Sequence, residues 1–558
     1  MSAPGWWRRA VCYQIYPRSF ADSNGDGIGD LPGILARLDY LQWLGVDVLW
    51  LSPFYPSPQL DWGYDVADFT AVHPDYGSLA DFDRLLAEAH RRGLRVLLDL
   101  VLNHTSDQHR WFQESRQSRT NPYRDWYIWR DGRAGGPPND WESLFGGSAW
   151  ELDPATGQYY YHFFFAGQPD LNWRNPAVRE AVWAVMRFWL DRGVDGFRLD
   201  AINHVFEAQD LRDSDTPGQL AEMFLNARQG LFDGSRDLVA RKIRHQESQP
   251  ETHPLMRELR QLVDSYGERI LLGETLQPAY YGNGHDELHS VFNFALIQPQ
   301  LPAGQLRASL AERLPALPSG AWECNTMGNH DQSRSFSAFG DGRQDAARAR
   351  CALALAFLLR GTPVLYYGEE IGMTDLLPAG PEAFLDTLAV WAYTALRDRP
   401  KIGPAGAFQR ASRYFCRDIC RTPMQWTAGP NAGFAPAGVA TWLPVHPNHA
   451  AGVNVADQAR DPQSLLNWLR GLVQLRRAQP ALLEGEVELL PDTGDVLAFW
   501  RRAPEQACLV ALNLSERPAP LRLAQPVRRV LWPAAPLADF GRADDLSLPP
   551  YTVFVAEA

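Results

Sequence analysis

The 558-residue sequence predicts an α/β protein: a closed (β/α)8 barrel carrying a loop-rich insertion after its third strand and an antiparallel β-domain at its C-terminal end. Three observations predict it. Short apolar strands alternate with amphipathic helices through the first four-fifths of the chain. Those strands are apolar on both faces, as parallel strands covered by helices must be. Beyond about residue 484 the pattern changes to alternating strands separated by Pro, Gly and Asp turns.

The strands run in order. Val11–Tyr16 (VCYQIY), Val46–Leu51 (VDVLWL) and Leu94–Leu102 (LRVLLDLVL) are the first three, with a helix over Ile34–Leu44 and a second that starts at a Ser78/Asp81 capping box. A polar, Trp- and Gly-rich excursion follows, from about Ser106 to Asp170. Asn175-Pro176 then opens the next helix, Asn as the cap and Pro in the first turn. Val194–Leu199 is the fourth strand, followed by a long helical insertion, Phe206–Tyr266. Arg269–Glu274, Ser290–Phe294, Trp322–Asn325 and Pro363–Tyr367 complete the eight, with helices at Ala346–Leu359 and Leu465–Arg477. Residues 1–104 and 171–480 are thus assigned to the barrel, 105–170 to the inserted domain and 481–558 to a C-terminal β-sandwich.

Composition sets the broad class. Hydrophobic residues make up 45% and charged residues 21% of a chain long enough for more than one domain. The net charge of −13 argues against nucleic acid or an anionic membrane as partner. Twenty Trp, 19 Tyr and 26 Phe exceed what the core requires, and flat rings suit the apolar faces of sugars. The six cysteines form no paired metal-ligand spacing, although Cys416 and Cys420 are close enough to be bridged in a loop. With no signal-peptide core and no membrane-length apolar run, the chain reads as cytoplasmic with reduced thiols.

The chemistry concentrates at strand ends. Arg198 and Asp200 lie two residues apart and so on one face of an apolar strand, where charge is costly unless paired. Asn103 and His104 follow strand three, Glu274 ends strand five, and His330 and Asp331 follow strand seven. A barrel brings these to one mouth. Several acids in one pocket cannot all ionise cheaply, so at least one should have a raised pKa and donate a proton, which points to glycosidic bond cleavage.

Four blocks, Asp99-Leu-Val-Leu-Asn-His104, Gly196-Phe-Arg-Leu-Asp200, Leu272-Gly-Glu274 and Asn329-His-Asp331, resemble the signature regions of the α-amylase superfamily, glycoside hydrolase family thirteen. Gln168-Pro-Asp-Leu-Asn172 resembles the extra block of its oligo-1,6-glucosidase and α-glucosidase branch, and the likeness extends to Arg421-Thr-Pro-Met-Gln-Trp426. The resemblance implies Asp200 as nucleophile, Glu274 as general acid/base and Asp331 as the third carboxylate. It implies that Arg198 orients Asp200, that His104 and His330 donate to sugar hydroxyls, and that Gln168 belongs to the substrate pocket. It further implies that Asp61 and Arg417 close the far end around a terminal glucose, with Tyr64 stacking on that ring and Phe164 lining it; Arg413 and Arg421 are the alternatives to Arg417.

Ala201, after the nucleophile, occupies a position that tends to be Val in α-1,6-specific members. Its small side chain predicts α-1,4 preference, with maltose, maltooligosaccharides and, on one alternative, sucrose as substrates. Asp22, Asn24, Asp26, the Ile28 carbonyl and Asp30 have the spacing of the first part of an EF-hand loop. Related glucosidases hold calcium or magnesium there, so a structural Ca2+ (or Mg2+) is expected and no organic cofactor. The resemblance thus implies a retaining, exo-acting α-glucosidase, monomeric or a homodimer. Its alternatives are an oligo-1,6-glucosidase, a sucrose-acting hydrolase, isomerase or transglucosylase, and a non-catalytic binding subunit, the last disfavoured because all three acids are kept.

Overall fold

A computed structural model describes residues 5–229, 234–297, 302–491 and 493–558. Eight parallel strands close a barrel: β1 (Cys12–Ile15), β2 (Val48–Leu51), β3 (Arg95–Val101), β4 (Gly196–Asp200), β5 (Ile270–Gly273), β6 (Ser290–Asn293), β7 (Cys324–Thr326) and β8 (Thr362–Tyr366). Each pairs with its chain neighbours, and β1 pairs with β8 to close the ring, Cys12 opposite Val364. The interior is packed with side chains such as Cys12, Val48, Trp50, Leu97, Leu272 and Phe292, so the barrel is a core and not a channel. Gly196 is required where β4 meets β5: a Cβ there would lie 2.1 Å from the Ile270 carbonyl oxygen.

Local signals explain several helix starts. Ser78 and Asp81 form a reciprocal capping box on Leu79–Arg91, and the Asn175 side chain accepts from the Ala177 amide to start Pro176–Asp191. The expected helix over Ile34–Leu44 is instead two, Leu31–Leu35 and Leu38–Leu44. Asp30 caps the first through the Gly33 amide at 2.6 Å, and Arg37 leaves helical geometry between them, its guanidinium lying over the Trp426 ring. The insertion after β4 is helical only from Leu220, as Leu220–Gln229, Ser235–Ile243 and Thr252–Asp264. A helical pair absent from the sequence reading, Thr387–Arg397 and Gly403–Tyr414, follows β8.

Between β3 and β4 the chain forms a small antiparallel sheet, with Gln158–Tyr161 between Trp129–Arg130 and Trp150–Asp153. The C-terminal region forms one five-stranded and one three-stranded antiparallel sheet. Period-two alternation explains how Val496–Ala503 is buried on both faces: Val496, Ala498 and Trp500 join the cluster shared with the small sheet, while Leu497 and Phe499 join the barrel core. All six cysteines are buried and free, and no 416–420 bridge forms; the Cys420 thiol points to the His330 and Arg417 carbonyls. Among the described residues, no helix is long and apolar enough to cross a membrane.

Candidate active site

The site is built from the carboxyl ends of the strands and organised by three arginines. Asp99 on β3 stands opposite Arg198 on β4 in the parallel register, which brings the two side chains together inside the barrel mouth. The buried Arg198 donates through Nη1 to Asp99 Oδ1 at 2.7 Å and to Asp200 Oδ1 at 2.6 Å; its Nη2 lies 2.8 Å from Glu274 Oε2. One guanidinium therefore holds three carboxylates, and Asp200 and Glu274, 74 positions apart in the chain, are brought together across it. The second oxygen of Asp99 accepts from Trp50 Nε1 at 3.1 Å and from the Tyr64 hydroxyl at 3.0 Å.

Ala201 follows Asp200 in a left-handed conformation, φ 47°, ψ 35°, uncommon for a residue with a Cβ. That turn aims its backbone N–H at Glu274 Oε2, 3.1 Å away. Such a conformation persists where its surroundings over-determine it, and here it ties the end of β4 to the acid after β5.

Asp331 belongs to a different charge environment. Arg421 Nη2 donates to its Oδ1 at 2.7 Å, Arg417 Nη1 lies 3.5 Å from the same oxygen, and His330 Nε2 is 3.2 Å from Oδ2. Gln14 Nε2 donates to His330 Nδ1 at 2.8 Å, so the imidazole proton sits on Nε2, facing Asp331. The Tyr64 ring stacks on His330 with centroids 5.1 Å apart, so in this structure Tyr64 meets the site through an imidazole face and through Asp99.

Arg417 Nη2 lies 2.7 Å from both Asp61 Oδ1 and Asp386 Oδ1. Asp61 Oδ2 accepts from Gln168 Nε2 at 3.1 Å, and Gln168 also reaches His104 Nε2 at 3.1 Å. The half-exposed Phe164 ring lies edge-on to His104 at 5.3 Å. The structure thus brings Asp61, Tyr64, His104, Phe164, Gln168, Arg198, Asp200, Ala201, Glu274, His330, Asp331 and Arg417 to one mouth. Arg417, not Arg413, contacts Asp61, and Arg421 is bonded to Asp331 instead.

The acids held by the two arginine systems end up shifted in opposite directions. Burial pushes Asp99 up to about 6 and raises Asp200 well above the usual carboxylate range; Arg198 opposes this, and the negative charge of Glu274 adds to it. Burial would raise Asp331 too, but the adjoining His330 imidazole, Arg421 and Arg417 outweigh it and hold the carboxyl well below its ordinary value. The raised acid was expected to be the proton donor; the carboxyls raised here are Asp99 and Asp200, the latter being the residue the resemblance implies as nucleophile. Burial pushes His104 and His330 down to about 3, so both are neutral near pH 7.

Three residues of the network were missed in the sequence. Asp99 was visible as a lone charge in an apolar strand. Asp386 caps the helix Thr387–Arg397 through the Leu388 amide, and an Asp-Thr step before an apolar run is a recognisable start. Gln14 carries no signal beyond being polar in β1.

The loop at 22–30 is closed by its own backbone. Asp22 accepts from the Asn24, Gly25 and Gly27 amides, Asp26 from Ile28, and Asp30 from Ser23 and Gly33. Among the described residues, no group of three or more His, Cys, Asp or Glu is arranged to hold a metal ion. The donor types suit a hard cation, but in this arrangement their oxygens serve amides.

A sequence profile described as the α-amylase catalytic domain matches residues 14–485. The chain belongs to the α-amylase family. A second profile, a domain of unknown function (DUF3459), matches residues 483–555. The chain is 40% identical over 537 residues to an oligo-1,6-glucosidase of Parageobacillus thermoglucosidasius, covering 93% of this chain and 92% of that protein. It is 42% identical over 508 residues to an α-glucosidase of Pediococcus pentosaceus, covering 87% of each. Among solved structures, the α-glucosyl transfer enzyme XgtA superposes with a TM-score of 0.88 at 40% identity, and the trehalulose synthase MutB of Pseudomonas mesoacidophila MX-45 with 0.88 at 35%, both over 100% of each chain. This member of the α-amylase family is a glycoside hydrolase.

Proposed function

We propose that this enzyme is a retaining, exo-acting α-glucosidase that releases terminal α-1,4-linked glucose from short oligosaccharides such as maltose, in the cytoplasm. The observation that carries the reading is that Asp200 and Glu274 share the Arg198 guanidinium. A retaining pair needs its carboxyls about 5–5.5 Å apart, close enough for direct attack on the anomeric carbon. Asp200 attacks C1 while Glu274 gives its proton to the departing glycosidic oxygen. Water then attacks C1, returning a proton to Glu274 and releasing Asp200. Asp331, kept ionised by Arg421 and Arg417, binds the ring hydroxyls and supports the positive charge that develops at C1. The Asp61–Arg417–Gln168 end supports exo action, because a pocket closed there admits only chain ends.

The stereochemical test is proton NMR of early product from p-nitrophenyl α-D-glucopyranoside, whose leaving group is not a sugar: α-glucose appearing first supports retention, and β-glucose first refutes it. Ala201 supports the α-1,4 preference, which fails if isomaltose is cleaved much faster than maltose.

A second reading keeps the covalent intermediate but hands it to a sugar hydroxyl, favoured by the likeness to a transfer enzyme and to a trehalulose synthase crystallised with sucrose as its substrate. Chromatography of products at high sucrose and high maltose separates the two, since hydrolysis yields free glucose and transfer yields new disaccharides. We also propose a structural Ca2+ or Mg2+ held by Asp22, Asn24, Asp26, the Ile28 carbonyl and Asp30. Protein purified without chelator should then contain about one such ion per chain, and absence of both metals in elemental analysis disposes of the idea.

A further inference from the structure

The insertion after β4 places the helix Leu220–Gln229 beside the barrel mouth, and its anchorage is apolar. Leu225 is buried in a cluster with Phe384, Leu388, Phe415 and Cys416, and Phe224 lies edge-on to Phe415 with ring centroids 6.0 Å apart. Phe145, from the insertion after β3, packs on the same cluster, so separate excursions from the barrel meet there. Next to the helix end, Gln229 accepts from Arg410 Nη1 at 2.9 Å. Arg228 stands one turn after Phe224 and therefore on the same face. That face meets the wall at Phe415, two residues before Arg417.

Other arginines at the pocket are occupied: Arg198 by three acids, Arg417 by Asp61 and Asp386, Arg421 by Asp331. Arg228 is not. Among the described residues it has no ion pair and no hydrogen bond; its Nε is buried without a partner, and its guanidinium only leans over the Phe224 ring at 5.9 Å. Beside burial, the charges that act on it are those of Asp331, Arg417 and Asp386 at the pocket and Arg236 on the insertion, which sets it within electrostatic reach of the pocket. A guanidinium held partly out of water without acceptors carries a desolvation cost that a ligand with acceptors would offset.

Charge decides the ligand class. Arg198 is shared by three carboxylates, so the mouth keeps an excess of negative charge and an anionic ligand is repelled. Neutral sugar hydroxyls remain. On the α-glucosidase reading the terminal ring would be met by residues from the strand ends and by Arg417, whereas Arg228 comes from the insertion after β4. We propose that Arg228 is a specificity-determining residue that donates hydrogen bonds to hydroxyl oxygens of the sugar unit next to the terminal glucose. This inference rests on the α-glucosidase reading.

The test compares kcat/KM of the full-length wild type and Arg228→Met on maltose, which has that second sugar, and on p-nitrophenyl α-D-glucopyranoside, which does not. The maltose-to-aryl ratio is expected to fall by fivefold or more in the variant, mainly through KM for maltose. A smaller change in the ratio, including an equal loss on both substrates, overturns the proposal. Should Arg228→Met not yield folded protein by circular dichroism, Arg228→Ala is read by the same ratio and threshold. If wild-type enzyme cleaves neither substrate, the α-glucosidase reading has failed; if it cleaves both and the ratio holds in the variant, only the role of Arg228 has.

Discussion

Asp99→Asn is the substitution that best probes how the acids are balanced. Asp99 reaches Arg198 through one oxygen, and Trp50 and Tyr64 through the other. The asparagine fits the same space and can keep its carbonyl oxygen toward the Trp50 and Tyr64 donors, but its NH2 then faces Arg198 Nη1, a donor against a donor. The charge-assisted bond is worth about 1.5–3 kcal/mol, and the facing donors add a desolvation penalty of about 1 kcal/mol. At about 1.4 kcal/mol per tenfold, a misaligned Arg198 carrying this loss into the transition state lowers kcat/KM by roughly 10²–10³. The electrostatic effect has a separate sign. Asp99 is one of the charges that raise Asp200, so its neutralisation lets Asp200 ionise at lower pH, and the acid limb of the pH–rate profile moves down. The assay is kcat/KM on p-nitrophenyl α-D-glucopyranoside from pH 4 to 8, with circular dichroism confirming the fold. Activity within threefold of wild type and an unmoved acid limb would refute the idea that Arg198 distributes charge among these acids.

Three further substitutions test other parts of the argument. Asp200→Ala should lower turnover by at least about 10⁴-fold with the fold intact, and near-wild-type hydrolysis would remove the proposed nucleophile. Ala201→Val puts a β-branched side chain at φ 47°, a strain of about 1–3 kcal/mol that also disturbs the amide on Glu274; the expected result is a lower melting temperature and a maltose kcat/KM reduced more than tenfold, and unchanged values for both would contradict it. His109 caps the helix Arg110–Ser115 through the Trp111 amide, and burial pushes it down to about 4. Its folded pKa lies below the unfolded value of about 6.5, so the unfolded state binds the extra proton and stability is lost as pH falls from 6.5 toward 4. At pH 5 the cost is about 2 kcal/mol. His109→Asn keeps a capping oxygen and should shrink the difference in unfolding free energy between pH 7.5 and pH 5 by about that amount; a difference equal to that of wild type fails the prediction.

Much of this was legible in the sequence because the barrel converts sequence order into convergence. Any polar residue ending an apolar strand must face the mouth, so Asp200, Glu274 and Asp331 could be grouped without knowing a distance. What periodicity could not provide is which cation serves which acid. That depends on register, as with Asp99 opposite Arg198, and on irregular segments, as with Arg417 and Arg421, where no repeat constrains direction. The pair of helices at 387–414 went unread for a related reason: it is an insertion after β8 whose apolar face packs on another insertion, so the barrel rhythm gives no place for it.

The division of cations explains how similar acids can be given different tasks. Asp331 sees two guanidiniums and a neutral imidazole, so its ionised form is favoured despite burial. Asp99, Asp200 and Glu274 see one, and with all three ionised the group would keep an uncompensated charge out of bulk water. A proton retained by this group relieves that excess, and the titration then belongs to the set and not to one carboxyl. Glycosidic cleavage by two carboxyls needs one proton to deliver to the leaving oxygen and one ionised oxygen to attack carbon, within a few ångströms of each other. A single guanidinium between Asp200 and Glu274 meets both needs: it stabilises whichever oxygen is charged, and it follows the charge as the proton leaves. Had Arg417 or Arg421 stood on Asp200 as well, its carboxyl would be pulled down as that of Asp331 is, and the burial-driven rise that sets it apart would be opposed by a second cation.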